Sequence, residues 1–415
     1  MAILTLSCRQ NSFEYYLFES VCFIQLASGT VTGIGCGDCA ELNCDHIHAQ
    51  FDPLMVPVLD DLHSAIGYVL TLLERAGQEH SPEWEITAVG HRVVHGGELF
   101  RHSVAIDDEV LGKIRRLERL APKYNVPNRK GIVAAMALLP AVVHVAIFDT
   151  AFHQTIPPHA YIYPLPYDWY EKHAVRRYGF HGSSHLYMSR CAAALMGKSV
   201  SACRLLTIHM ELGISLCAIA NGKSVDCSMG FTPVEGTMQE RRSGTVDPGI
   251  PGFIMDWQGL SAQQVEEILN EKSGLSGIVG SNSDRREVME KSLTGDIRAQ
   301  LAITMESYSL KKYIGAFLAA LGGCDSLVFS TGQGELEVAA RCAFLAGLEC
   351  FGVVLDQERN ARAALSNCPE RISHDDSPIQ IWVVPTHAER IYAEDTAFVC
   401  AGNCQEAWCQ EYAFV

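Results

Sequence analysis

Apolar residues along the chain fall into two regimes, short β-rich runs and longer segments with helical spacing, and the order of the two repeats. Ala2–Cys8, Phe13–Glu19 and Val21–Leu26 are apolar runs separated by brief polar breaks, and they predict a three-stranded meander. Asp52–Ala76 carries apolar residues at helical spacing and predicts a helix. Ile86–Val94 predicts a buried strand, Asp107–Leu120 and Asn128–Leu139 predict helices, and Val142–Phe148 predicts a second buried strand that runs directly into Asp149. Loops at the carboxyl ends of such strands are where open α/β sheets bind ligands. A second cycle opens with another meander, Arg204–Met210, Gly213–Ala220 and Lys223–Asp226. Helices and buried strands follow, among them Gln300–Leu321, Ser326–Ser330, Glu335–Leu348 and Ile379–Val384. No sequence repeat accompanies this repeated order. The pattern predicts an α/β fold of two similar domains with a cleft between them.

The stretch Asn221–Pro248, NGKSVDCSMGFTPVEGTMQERRSGTVDP, lacks helical periodicity and is punctuated by Pro233, Gly236, Gly244 and Pro248. It opens on Asn-Gly, a hairpin-turn signal. It reads as a structured loop, and loops this long inside compact domains are usually functional. Arg241 and Arg242 stand side by side near its end. Two guanidiniums on a Gly-containing loop suit a phosphate or a carboxylate, although a solvated basic turn has the same composition.

Composition narrows the partners. A chain of 415 residues is long for one core, and 48% hydrophobic with 19% charged residues describes a globular protein. A net charge of -16 argues against non-specific binding to nucleic acid or to an anionic membrane. The N-terminus lacks a basic secretory n-region and no apolar run reaches a membrane span, so a cytoplasmic location is expected. The sixteen cysteines are then read as thiols. Two clusters stand apart, Cys36, Cys39 and Cys44 with His46 and His48, and Cys400, Cys404 and Cys409. The first has ligand types zinc accepts, but no second CxxC pair completes it.

Any anionic ligand must therefore meet locally concentrated cations. His91–Phe100 (HRVVHGGELF) places Arg92 and His95 beside two glycines, and Arg176–His185 (RRYGFHGSSH) gathers two Arg and two His around two Gly. Asp149 and His153 lie in FDTAFHQT. Ser330–Leu336, STGQGEL, joins a buried strand to a helix through Gly332 and Gly334, a geometry that presents N–H groups to phosphate. A core histidine or ordinary helix–sheet packing explains any one of these features. Together with the Arg241–Arg242 loop they point to a site for multiply charged anions.

HRVVHGGE, FDTAFHQTIP, RRYGFHGSSH, NGKSVDCSMGFTPVEG and the LGG-D-LVFSTG-GE stretch resemble the acetate kinase family, over about Ile86 to Thr396. The resemblance implies two duplicated α/β domains of the sugar kinase/heat-shock chaperone/actin superfamily around a nucleotide cleft. It sets domains at 1–150, completed by about 392–415, and at 151–391, with a homodimer joined through the second. It implies reversible transfer of the ATP γ-phosphoryl to acetate or a similar short acid, with Mg2+ and ATP/ADP; the charge and the absence of a membrane-length apolar run already lead to the expectation of no nucleic acid or membrane partner. By the same resemblance Arg92 and Arg242 hold the carboxylate and the transferring phosphoryl. His181 stabilises the equatorial oxygens and Asp149 positions the metal–phosphate assembly. Val94, Phe180 and Pro233 match the small apolar pocket, with Lys123 beside it. Ser12, His209, Gly213, Asp284, Arg286, Gly332 and Gly334 match nucleotide positions, and Glu389 and Ser7 the metal side.

Departures from the family pattern lie at the phosphate hairpins and the metal. Ser7, Arg9, Gln10, Asn11, Ser12 and Glu14 keep a Ser but lose an Asn, a turn Gly and a Lys. His209–Gly213 carries Glu211 and Leu212 for a Gly and an Asn, Glu240 and Arg241 replace Gly-Thr, Lys123 and Tyr124 replace Leu and His, and His387, Ala388, Glu389 replace Asn-Glu-Glu. Two further readings follow from these changes. One is an acyl kinase with another acid or phosphoryl donor. The other is a non-catalytic relative that binds a ligand or regulates, because negative charge beside a triphosphate weakens ATP binding.

Overall fold

The structure, a computed structural model, describes all residues except 38–39, 47–57, 81–83, 212, 331–334, 367, 404, 407 and 414–415. The chain divides into two compact units, Met1–Gln154 with His387–Val415, and Thr155–Thr386. No described helix is long and apolar enough to cross a membrane.

In the first unit a seven-stranded sheet has the order β4-β3-β2-β1-β5-β7-β6. Its strands are β1 (Ala2–Cys8), β2 (Phe13–Glu19), β3 (Gln25–Thr32), β4 (Glu41–His46), β5 (Ile86–Val93), β6 (Val104–Ala105) and β7 (Val143–Phe148). The first four form an antiparallel meander, β1, β5 and β7 run parallel, and β6 closes the edge antiparallel. Every residue of β1 is buried. Leu4 and Leu6 point to a core shared with Leu62, Ile66, Val69 and Leu73 of the helix Leu62–His80, while Ile3 packs with Ala88 and Ala393 on the other face. A parallel strand covered on both faces reads as a continuous apolar run, not an alternating one. The helix Ala388–Cys400 lies on that second face, close enough that a Cβ on Gly90 would sit 2.3 Å from Thr396 Oγ1.

The second unit repeats the pattern. Its six-stranded sheet has the order β10-β9-β8-β11-β13-β12, from β8 (Arg204–Met210), β9 (Ile214–Ala220), β10 (Lys223–Cys227), β11 (Ser326–Ser330), β12 (Glu370–Arg371) and β13 (Gln380–Val383). Again an antiparallel meander leads into three parallel strands and one antiparallel edge strand. Strand for strand this matches β3-β2-β1-β5-β7-β6, so the repeated order of elements is a repeated topology. Asn221 and Gly222 both have positive φ (56° and 76°), the two-residue hairpin turn that Asn-Gly favours. The core packs Leu206, Ile208, Leu327 and Phe329 against Leu310, Ile314 and Phe317 of the 25-residue helix Ile297–Leu321.

Four elements differ from expectation. Only the end of Val21–Leu26 is strand: Val21 and Ile24 are exposed between β2 and β3, and the third strand runs Gln25–Thr32. The strand Glu41–His46, ELNCDH, was not expected, because an edge strand that polar has no hydrophobic signature. The helix expected at Asn128–Leu139 runs Pro122–Leu138. Pro122 occupies its first turn, where proline is tolerated, and Pro127 lies inside it. The early part of the helix expected over Asp52–Ala76 falls outside the described residues, and the helix runs Leu62–His80.

Candidate active site

Parallel strand ends assemble the first cluster, within the first unit. Leu6 pairs with His91 and Arg92 with Ile147, so Ser7, Arg92 and Asp149 come from the carboxyl ends of three adjacent strands. Arg92 Nη2 donates to Asp149 Oδ2 at 2.7 Å and its Nε lies 3.1 Å from both carboxylate oxygens. Arg92 Nη1 reaches Ser7 Oγ at 3.4 Å. The Asp149 side chain is 2% exposed and that of Arg92 21%. Burial opposes the guanidinium charge, but Asp149 and then Tyr392 outweigh it and hold the Arg92 pKa well above its usual value. The result is a cation aimed by a buried carboxylate, suited to a carboxylate or phosphoryl oxygen.

The helix Pro122–Leu138 fixes the backbone around this cluster. Asn128 Oδ1 accepts from Val94 N at 3.0 Å while its Nδ2 donates to Cys8 O at 2.7 Å, tying the ends of β5 and β1 together. Asn125 grips His95 at both its N–H and its carbonyl, 3.0 and 2.9 Å. Burial pushes the His95 imidazole down to about 3, so it is neutral. Lys123 is exposed in the first turn of this helix.

One of the expected acidic liabilities is balanced locally. Glu14 stands opposite Ser7 in the β1–β2 ladder and pairs with Arg9 at 2.8 Å. Arg9 also opens the hairpin turn, its N–H donating to Ser12 O at 2.8 Å. Glu389 Oε1 lies 3.1 Å from His387 Nδ1, in the first turn of the helix Ala388–Cys400 and one turn before Tyr392.

The second cluster lies in the second unit. His181 precedes the helix Gly182–Leu195 in the left-handed region (φ 57°), a conformation few side chains adopt outside functional or turn positions. His181 Nδ1 and His185 Nε2 each lie 2.8 Å from Ser215 Oγ, and His185 Nδ1 lies 2.8 Å from Thr207 Oγ1. One hydroxyl between two imidazoles donates to one and accepts from the other, so this chain fixes both ring planes and couples their tautomers. The His209 ring packs 4.2 Å from that of His181, with Ser184 Oγ 2.8 Å from its Nδ1.

Gly213 is where this cluster converges. A Cβ there would lie 3.0 Å from Arg242 Nη1, 3.1 Å from Gln239 Oε1 and 3.3 Å from His181 Cε1. Sequence reading singled out His181, Gly213 and Arg242, and the structure brings them together. Gln239 was missed, because a neutral amide in a polar loop carries no signal. Phe180 and Pro233 are buried nearby in sequence and in the same unit.

Segment 239–242 is stitched to 273–276 through Ser273 N to Arg241 O (2.9 Å), Leu275 N to Gln239 O (3.0 Å) and Ser276 N to Glu240 O (2.9 Å). The Glu240 carboxylate is buried and accepts from Arg285 N at 3.2 Å, at the start of the helix Arg285–Leu293. An acid at a helix N-terminus is stabilised by the unpaired amides and the macrodipole. Asp284 caps the same helix, its carboxylate accepting from Glu287 N at 2.8 Å. Arg286 is 78% exposed and pairs with Glu290 at 3.3 Å. Glu211 is exposed at the β8–β9 hairpin, 3.7 Å from His209 Nε2.

Gly332 and Gly334 lie outside the described residues, as do Cys39, His48 and Cys404. Of the cysteine clusters, Cys44 Sγ accepts from Tyr15 OH at 3.2 Å and Cys36 Sγ from Asn11 Nδ2 at 3.6 Å. Cys400 and Cys409 are exposed.

Residues 2–394 match the model of the acetokinase family. The chain is 46% identical over 415 residues to an acetate kinase of Trichlorobacter lovleyi, covering 100% of this chain and 98% of that one. Among solved structures, the acetate kinase of Porphyromonas gingivalis superposes with a TM-score of 0.88 at 42% identity, covering 96% of this chain and 99% of its own. A propionate kinase of Francisella tularensis superposes with a TM-score of 0.86 at 33% identity, covering 95% and 98%.

Proposed function

The chain belongs to the acetokinase family, and from that premise we propose how its own residues serve the reaction. It is an acetate kinase-type phosphotransferase, with ATP/ADP as co-substrate and a carboxyl group as the phosphoryl acceptor. Acetate and the γ-phosphoryl are both anionic, so catalysis consists of holding them in line and neutralising the charge that builds up. Arg92, kept charged and aimed by Asp149, binds the acyl carboxylate. Arg242 and His181 bind the transferring phosphoryl and stabilise its equatorial oxygens. We assign Val94, Phe180 and Pro233 to the acyl methyl group, and Lys123 to the choice of acid. Ser12, His209, Gly213, Asp284, Arg286, Gly332 and Gly334 serve the nucleotide.

The family implies a metal, in our reading Mg2+. Hard divalent cations at phosphates keep several waters and take few protein ligands. The oxygen donors Asp149, Glu389 and Ser7 fit such a role, Asp149 keeping a lone pair on Oδ1 beyond its bond to Arg92 Nε. When bound, the ion neutralises charge on the phosphate oxygens.

The convergence of Arg242, His181 and Gln239 on Gly213 carries this reading. Two of the three acidic substitutions do not oppose it. Glu14 is paired with Arg9 and Glu240 is spent on a helix N-terminus, so neither presents an uncompensated charge to a triphosphate. Arg242→Ala tests the assignment: kcat for acyl phosphate formation falls by about a thousandfold, the scale of losing one transition-state donor, with the thermal midpoint unchanged. Full turnover in Arg242→Ala rejects it.

We also propose a homodimer in the cytoplasm. Ile297, Leu301, Met305 and Tyr308 are exposed at helical spacing along one stripe of the helix Ile297–Leu321, and the stacked Phe253 and Trp257 are exposed as well. Such patches mark association sites. Leu301→Glu, read by light scattering, yields a monomer; an unchanged mass contradicts this surface.

A further inference from the structure

We propose that Gln239 is a positioning residue that aims the Arg242 guanidinium, and this rests on the reading of Arg242 given above. The Gln239 side chain is fully buried. Its Nε2 donates to Pro233 O at 3.0 Å and its Oε1 accepts from Arg242 Nη1 at 3.1 Å. The amide orientation is set by chemistry, because the Pro233 carbonyl only accepts and the guanidinium only donates. Backbone bonds hold Gln239 in turn: its N–H donates to Arg242 O at 3.1 Å and its carbonyl accepts from Leu275 N.

The far end of this link is rigid. Glu235, two residues after Pro233, accepts from Arg177 Nη2 at 2.7 Å and from Tyr163 OH. Arg177 Nη1 donates to Cys227 O at 2.8 Å, at the end of β10. The loop that supplies the Pro233 carbonyl is thus anchored to the sheet, and Gln239 carries that anchorage to Arg242. A neutral amide does this without bringing a negative charge of its own to the guanidinium. The loop carrying Pro233, expected to touch the acyl methyl, and the phosphoryl-binding Arg242 are thereby held in one register.

Gln239→Met preserves length and burial and removes both hydrogen bonds. Angular freedom at a charge-stabilising group reduces turnover, and misplacement by an ångström is worth about a hundredfold. The measurement is kcat and KM for acetate and Mg-ATP, with the thermal midpoint, for Gln239→Met, Arg242→Ala and the double variant. The expected result is a kcat lowered about ten- to a hundredfold in Gln239→Met, a KM for Mg-ATP within about twofold, and a double variant no slower than Arg242→Ala. Unchanged kcat in Gln239→Met beside a disabled Arg242→Ala overturns the proposal alone. A kcat loss matched by a collapsed thermal midpoint, or repeated in full on the Arg242→Ala background, also overturns it in favour of a packing role. Full activity in Arg242→Ala refutes the underlying reading instead.

Discussion

Gly213→Ala isolates the geometry of the second cluster from its chemistry, since it adds one methyl and removes no functional group. The effect is read from what the new methyl meets. The new Cβ lies 3.0 Å from Arg242 Nη1, 3.1 Å from Gln239 Oε1 and 3.3 Å from His181 Cε1. Such atoms rest at roughly 3.5 Å from a methyl carbon. Arg242 and Gln239 must therefore retreat by about 0.5 Å and His181 by about 0.2 Å. A displacement of 1 Å at a catalytic centre is worth about a hundredfold, so half that distance corresponds to roughly tenfold in kcat. The added methyl meets side-chain ends, not backbone, so the overpacking penalty stays at or below about 1 kcal/mol, the low end for added methylenes. Steady-state acyl phosphate formation and the urea midpoint, measured on the same preparation, separate the two effects. A kcat within twofold of the parent refutes the placement of Arg242 and His181 at Gly213. So does a loss of activity that follows a loss of stability.

Three further outcomes follow from the first unit. Asp149→Ala leaves the Arg92 cation only 21% exposed with its main partner removed, and breaking such a pair costs about 3 kcal/mol. The double variant Asp149→Ala/Arg92→Leu recovers stability in urea unfolding although it is inactive. His91 Nε2 lies 3.0 Å from His144 Nδ1, and the His91 imidazole is held well below its ordinary value of 6.5 by burial and by the neighbouring ring. The unfolded chain therefore binds the extra proton, so His91 contributes stability that is complete above pH 6.5 and is lost as pH falls. His91→Gln flattens the urea midpoint against pH below 6.5. Burial raises the Asp395 carboxyl from 3.8 to about 6, the opposite sign: its contribution is complete below pH 3.8 and is lost as pH rises to about 6. Asp395→Asn removes that loss, read as a smaller fall in the urea midpoint between pH 4 and pH 6.

Burial explains how much of the fold was legible. Strands β8 and β11 were read residue for residue, because each has an apolar centre, Leu205–Leu206 with Ile208 and Leu327–Phe329, that is buried in the sheet. Val21 and Ile24 misled because exposed apolar side chains between two strands look like a strand. Glu41–His46 escaped because backbone pairing to β3, not hydrophobicity, makes it a strand. The helix expected from Asn128 starts six residues earlier, at Pro122, and Pro127 is buried inside it between Asn125 and Asn128, the two side chains through which this helix grips the strand ends.

The charged site residues were legible as types and spacings. The order in which they meet was not. Ser7, Arg92 and Asp149 converge only because β1, β5 and β7 are adjacent and parallel. The neutral residues that hold the charges, Asn125, Asn128, Ser215 and Gln239, carry no sequence signal of their own. Glu240 shows the reverse error. Its charge looked like a liability beside ATP, and it is the acceptor for a helix N-terminus.

The account rests on phosphoryl transfer to a carboxylate, and trapping the product tests that most directly. Purified protein is incubated with Mg-ATP and acetate, propionate, butyrate or small dicarboxylates, with hydroxylamine present to capture any acyl phosphate. The predicted result is ATP-dependent hydroxamate from acetate that disappears in Arg242→Ala. No hydroxamate from any acid, with a folded protein that equals its Arg242→Ala variant, contradicts the account.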